Sequence, residues 1–279
     1  MRIQHNIAAL NSYKNLTSNN STVSKNLEKL SSGYRINRAG DDAAGLAISE
    51  KMRAQITGLE TASKNASDGI SLIQTAEGAM TEVHSMLNRM VEIAQQSANG
   101  TYDNDVDRKN LQMEFSALSS EINRISDGTS FNGTKLLNGS LDGSASTKAL
   151  TLQIGETSDS FNQIAVTIGK MDSEELGIKD LSVLSQKDAA DAVAEIKKAI
   201  DSVSSTRGRL GATQNRLEHT INNLNVASEN MTAAESRIRD VDMAKEMMSY
   251  TKNNILVQAS QAMLAQANQV PQGVLQLLK

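Results

Sequence analysis

Apolar positions recur at helical spacing through most of this chain and alternate in only one region. Ile3, Ile7, Leu10, Leu16, Val23, Leu27 and Leu30 share a helical face, weakened by the polar patch from Thr17 to Ser21. Gly33 is a stop signal there, and residues 37–40 read as a linker. From Asp41 and Asp42, either of which suits a helix N-cap, a second pattern steps alternately by four and three. It runs through Met52, Ile56, Leu59, Ala66, Ile70, Ile73, Met80, Leu87, Val91 and Ala94, with Ser63, Glu77 and His84 as polar interruptions. Asn99-Gly100 predicts a left-handed stop. Such a helix is roughly 87 Å long at 1.5 Å per residue. Leu111, Phe115, Leu118, Ile122 and Ile125 predict a third helix ending near Asp127-Gly128.

The period then changes. Leu150, Leu152 and Ile154, answered by Ile164, Val166 and Ile168, predict a hairpin inside a small β-rich insert over 129–184, with a polar loop from Glu156 to Ser160. Ser185 and Asp188 form a helix-start box. The seam that follows runs Ile196, Ile200, Val203, Arg207, Leu210, Gln214, Leu217, Ile221, Leu224, Ser228, Met231, Glu235 and Ile238, and nine of those thirteen positions are apolar. Its polar members weaken the seam while fixing register. Helices this long need partners, and the economical arrangement pairs 42–99 with 186–240 antiparallel, with 105–126 alongside. The chain ends, 1–32 and 244–279, then emerge together from a folded-back rod. The expected fold class is mainly α: a long antiparallel coiled-coil-like helix bundle with a small β-rich insert.

Composition sharpens this picture. Seven aromatics in 279 residues, a single Pro and no Trp suit long helices better than an ordinary globular core. The absence of Cys excludes disulfides, thiolate chemistry and Cys-ligated metals. A net charge of −4 leaves no footprint for nucleic acid. The N-terminus lacks the apolar run of a secretory signal peptide. Residues Ile255 to Leu278 carry no charge, but seven Gln and Asn side chains punctuate the stretch and Pro271 is expected to interrupt its helix. Burial against protein partners therefore fits it better than membrane insertion. His5, His84 and His219 are isolated, Glu82-Val-His84 is not a zinc-protease motif, and no phosphate loop or nucleophile elbow is present. No catalytic residue, metal or cofactor is expected. His84, on the seam, is expected to pack.

The run Leu30-Ser-Ser-Gly-Tyr-Arg-Ile-Asn-Arg-Ala-Gly-Asp-Asp-Ala-Ala-Gly-Leu-Ala-Ile48 is similar to the N-terminal signature of bacterial flagellins, and Met1 to Leu10 resembles their first helix. Gln95-Gln-Ser-Ala-Asn-Gly100, Ser130-Phe-Asn-Gly-Thr-Lys-Leu-Leu137, Arg209-Leu-Gly-Ala-Thr-Gln-Asn-Arg-Leu217 and Ser236-Arg-Ile-Arg-Asp-Val-Asp-Met-Ala244 are also family-like. So is the ending from Ala259 to Gln269 with Val274 to Leu278.

The resemblance implies a subunit that polymerises with itself into the helical flagellar filament of motility. It would be exported unfolded by the flagellar type III apparatus and located outside the cell. It also implies an inner layer, D0, from the terminal helices 1–35 and 241–279. A surrounding D1 layer would comprise 36–128, the β-rich part 129–184 and the helix 185–240. The short insert leaves little beyond D0 and D1.

Ile3, Ile7, Leu10, Ile255, Leu264, Leu275 and Leu278 are expected to pack in the filament core. The resemblance further implies that Arg89, Ile93 and Glu114 belong to a D1 surface expected to serve subunit contact and, in the monomer, Toll-like receptor 5. An export chaperone, the filament cap and hook-associated proteins are the further implied partners. Ser and Thr around 140–160 are open to glycans, without a local motif that specifies a site. The alternatives are a hook–filament junction protein or another secreted coiled-coil adhesin or translocator; the run Gly40 to Gly45 and the short insert favour the filament subunit.

Overall fold

The computed structural model describes residues 6–103, 106–143 and 149–277, with side chains described as far as residue 270. Five helices dominate: α1 (Ile7–Ser32), α2 (Ala43–Ala98), α3 (Asp107–Gly128), α4 (Gln186–Arg239) and α5 (Met243–Leu277). Four short strands lie between α3 and α4: β1 (Ser130–Phe131), β2 (Thr134–Lys135), β3 (Leu150–Gln153) and β4 (Gln163–Val166). The chain divides into two compact units, Met1–Ile56 with Glu229–Lys279, and Thr57–Ser228.

The second unit holds the apolar core. Met80, Leu87 and Met90 of α2, Phe115 and Ile122 of α3, and Ile196, Val203 and Leu210 of α4 are all buried in one cluster. These are the four-three seam positions or their immediate neighbours, so the heptad pattern is spent on intramolecular packing. The polar interruptions also find one another. Glu77 pairs with Arg207 at 3.4 Å, and the Ser63 hydroxyl donates to Asn225. As positions advance along α2 their partners on α4 recede, so the two helices run antiparallel within this unit. His84 sits on the seam with its Nδ1 buried and without a hydrogen-bond partner among the described residues.

The expected hairpin is β3–β4, antiparallel, with Leu150 opposite Val166 and Leu152 opposite Ile164. Alternation works as period two demands: Ile164 and Val166 are buried while Gln163 and Ala165 are exposed. The hairpin lies on α2, where Asn65 donates to the Gln153 carbonyl. A Cβ at Gly69 would stand 2.4 Å from Leu152 Cδ1. A second hairpin, β1–β2, turns through Asn132 and Gly133 at φ 46° and 81°. An Asn-Gly pair between two extended residues is the sequence signal for that tight turn, although the periodicity around it is too short to announce a strand.

Two helix ends differ from expectation. Gly33 ends α1 in the left-handed conformation, as predicted, but α2 ends at Ala98 without left-handed backbone at Asn99 or Gly100. Its last carbonyls are capped from outside: the buried Arg108 guanidinium donates to Ser97 O at 2.9 Å and Asn99 O at 3.0 Å. A cation at a helix C-terminus satisfies orphan carbonyls and complements the dipole at once, which removes the need for a glycine cap. Pro271 likewise does not interrupt α5, which continues to Leu277. A proline forfeits one i→i−4 bond and crowds the turn before it; here it falls within the last two turns, where little helix follows it.

Candidate assembly surface

Within the first unit, α1 and α5 pair antiparallel, and polar side chains hydrogen-bond across the pair. Asn6 caps α1 by accepting from Ala9 N–H and also donates to the Ala267 carbonyl at 2.8 Å. Asn19 donates to Ser260 Oγ at 3.1 Å. Asn26, only 7% exposed, is the one buried residue of α1. In the amide orientation that satisfies its neighbours it donates to Thr22 O and Glu246 Oε1 and accepts from Asn253.

Among the described residues, no apolar side chain of α1 or α5 is fully buried. Ile7, Leu10, Tyr13 and Leu27 of α1 are exposed. On α5, Met248, Ile255, Met263 and Val270 are exposed, at steps of seven, eight and seven residues. Such steps return to one side of a helix every two turns, so these four form an apolar stripe along one solvent-facing side. Of the expected core-packing residues, Ile7, Leu10 and Ile255 are on this exposed surface and Leu264 is half-buried. Ile3 and Leu278 lie outside the described residues, and Leu275 belongs to α5 beyond the last described side chain.

The linkers that deliver α1 and α5 are fastened together. Arg35 N–H donates to Arg239 O and Val241 N–H to Gly33 O, forming an isolated antiparallel bridge at Tyr34 and Asp240. The Arg239 guanidinium stacks over the Tyr34 ring at 4.9 Å and pairs with Glu50 at 2.6 Å. The two aspartates divide their work. Asp42 caps α2 by accepting from Gly45 N–H at 2.9 Å. Asp41 does not cap that helix; it accepts from the N–H groups of Arg38 and Asn37 and fixes the turn before it. Those two backbone donors hold the Asp41 carboxyl below its ordinary pKa.

On the second unit, Arg89 and Glu114 come together, while Ile93 does not join them at the surface. Arg89 Nε donates to Glu114 at 2.8 Å and its terminal nitrogen to Glu92 at 2.9 Å, with both members of the first pair more than 40% exposed. The Glu114 hydrogen bond, with that of Glu92, raises the Arg89 pKa further above its usual value. Ile93 has no exposed area and belongs to the core cluster, because it shares the inward face of α2 with the buried Met90, three residues before it, and Ser97, four after. With no exposed area, it makes no direct contact with anything that docks on this face.

Among the described residues, no group of three or more potential metal ligands occurs and no helix is long and apolar enough to cross a membrane.

Residues 3–142 match the family model for the bacterial flagellin N-terminal helical region, and 193–278 match that for the C-terminal helical region. The chain is 58% identical to a flagellin of Bacillus subtilis and 54% identical to a flagellin of Halalkalibacterium halodurans, in each case covering all of both chains. Among solved structures, a putative flagellar hook-associated protein from Vibrio parahaemolyticus shares the fold. Its TM-score is 0.58 at 12% identity, over 72% of this chain and all of that one.

Proposed function

Because the chain belongs to the bacterial flagellin family and so is a structural subunit of the flagellar filament, we propose that it assembles through the exposed apolar surfaces of α1 and α5. The observation that carries this reading is the solvent-facing stripe of Met248, Ile255, Met263 and Val270 on a helix whose own partner leaves it uncovered. Contiguous exposed apolar surface marks an interaction site. Identical subunits joined by heterologous, non-closing contacts form an open helical polymer. Ile7, Leu10 and Leu264 extend the contact surface, with Ile3, Leu275 and Leu278 towards the chain ends. In this reading the terminal helices 1–35 and 241–279 form the inner layer and 36–240 the layer around it.

Export unfolded by the flagellar type III apparatus delivers the subunit outside the cell. Before assembly, the apolar α5 surface serves an export chaperone; the filament cap and hook-associated proteins meet it at the growing and basal ends. The Arg89–Glu114 pair serves a subunit contact and, in the monomer, Toll-like receptor 5. Full-length identity to flagellins favours the filament subunit over a junction protein or an adhesin.

Seeded polymerisation followed by electron microscopy tests the reading. Ile255→Asp should leave the helical content of the purified monomer intact and abolish elongation onto seeds, and normal filaments from that variant would overturn it. Removal of 255–279 should eliminate both polymerisation and chaperone binding. For the receptor face, Arg89→Ala should weaken the response of a receptor reporter line to monomer; an unchanged response removes the pair from the epitope.

A further inference from the structure

The apolar stripe of α5 is unusual in its chemistry: two of its four members are thioethers, and they are its two most exposed, Met248 at 68% and Met263 at 65%. A methionine surface adapts to a partner better than a branched aliphatic one, but its sulfur is open to oxidation wherever solvent reaches it. Met80, Met90 and Met171 are buried in the other unit and shielded. Resting on the assembly role proposed above, we infer that Met248 and Met263 are reversible oxidation sites, and that sulfoxidation by a hydroperoxide switches the free subunit from assembly-competent to assembly-incompetent.

The chemistry is a two-electron oxygen transfer. The thioether sulfur attacks the distal oxygen of the hydroperoxide, the O–O bond breaks and an S–O bond forms. Sulfur is oxidised by two electrons and the peroxide is reduced, leaving as water when it is hydrogen peroxide. The product carries a strong S=O dipole in the middle of the stripe. Once a neighbouring subunit covers the stripe, that oxygen loses water and faces aliphatic side chains, and burying a polar group without a partner is costly. Ile255 and Val270 cannot be modified this way, so within the stripe the switch is confined to the two sulfurs; Met243 and Met247, 48% and 50% exposed on the same helix, lie off that side. Assembly itself hides the thioethers, which makes the sensitivity a property of the free subunit and not of the finished polymer. Methionine sulfoxide reductases reverse the change.

Met113, 63% exposed on α3 in the other unit, is a built-in control, since it oxidises without altering the stripe. Purified full-length monomer is treated with dilute hydrogen peroxide, its sulfoxides are mapped by peptide mass spectrometry, and elongation onto seeds is measured. Oxidation at Met248 and Met263 should raise the critical concentration roughly tenfold or more, equivalent to about 1.4 kcal/mol per tenfold. Treatment should leave M248L/M263L elongating at that variant's own untreated rate, whereas treated M113L should lose elongation as the native sequence does. Treatment of the oxidised native chain with methionine sulfoxide reductases should restore elongation, an arm that holds even if the double variant assembles poorly.

Normal elongation by monomer mapped as oxidised at both positions overturns the inference. So does equal loss in M248L/M263L, or failure of the reductases to restore growth. Preformed filaments should keep both sulfurs reduced under the same treatment. If they oxidise there as fast as in monomer, it is the assembly role of the stripe that fails.

Discussion

A single carboxylate shows how residue-level chemistry is divided in the linker between α1 and α2. Asp41 is fully at the surface, yet two backbone N–H groups keep its folded pKa below the ordinary value of 3.8. A depressed folded pKa stabilises the fold above the unfolded value, and that contribution disappears as pH falls through the lowered one. Asp41→Asn should therefore cost stability at pH 6 and cost progressively less as the pH drops below about 3.8, measured by thermal unfolding across that range. A pH-independent cost contradicts the titrating role. Residue-level burial also separates Ile93 from Arg89. Ile93→Ala removes a side chain with no exposed area and should destabilise by about 2–5 kcal/mol, whereas Arg89→Ala should barely move the denaturant midpoint because exposed ion pairs contribute little. Motif resemblance placed both residues on one helix; it did not distinguish inward from outward, although the four-three period around Leu87, Val91 and Ala94 puts Ile93 beside the seam.

At the scale of elements, the long helices and the β3–β4 hairpin were legible because a period of 3.5 or 2 is written many times over, and a few polar interruptions do not erase it. Contacts between elements were not. The cap of α2 comes from Arg108, ten residues beyond the helix end, and no local signal announces a cap that arrives by tertiary packing. Arg108→Ala should cost roughly 1.5–3 kcal/mol, the range for charge-assisted hydrogen bonds, by denaturant unfolding. Gly69 is a comparable case. A glycine inside a helix looks like a weakness from propensity alone, but this one admits Leu152 of the hairpin. Gly78, on the same helix, has nothing within 4 Å of an added Cβ. Gly78→Ala should therefore stabilise by about 0.5–1 kcal/mol, while Gly69→Ala should gain nothing or lose. Equal gains at both positions would show that the hairpin does not depend on that close approach.

At the scale of the whole molecule, the distribution of apolar surface separates folding from assembly. The second unit buries its seam residues in its own core, whereas α1 and α5 bury no described apolar side chain fully and leave Ile7, Leu10, Leu27, Met248, Ile255, Met263 and Val270 exposed. The uncharged sequence from Ile255 onward signalled a buried destination, and the recurrence of Met248, Ile255, Met263 and Val270 at steps of seven, eight and seven is visible once the helix is drawn. What the pattern did not reveal is how α1 and α5 recognise each other, because Asn6, Asn19 and Asn26 resemble ordinary surface positions until their partners are seen. At this scale, Ile255→Asp should spare unfolding of the Thr57–Ser228 core while abolishing growth of filaments; a variant that both unfolds that core and fails to grow would place Ile255 in folding instead.

The asparagine contacts have one more consequence, for how the subunit behaves before it is used. A helix pair held by amide hydrogen bonds is choosy about alignment but weakly held, since a shift of one turn leaves Asn26 and Glu246 unmatched while the aligned state buries little oil. The ends of the chain can thus separate and re-close many times without choosing a wrong mate, and without disturbing the core elsewhere. Amide protons of α1 and α5 should exchange with solvent orders of magnitude faster than those of α2 around Met80 and Leu87. A subunit that locks to its neighbours in a filament is well served by ends that are easy to open and hard to misalign.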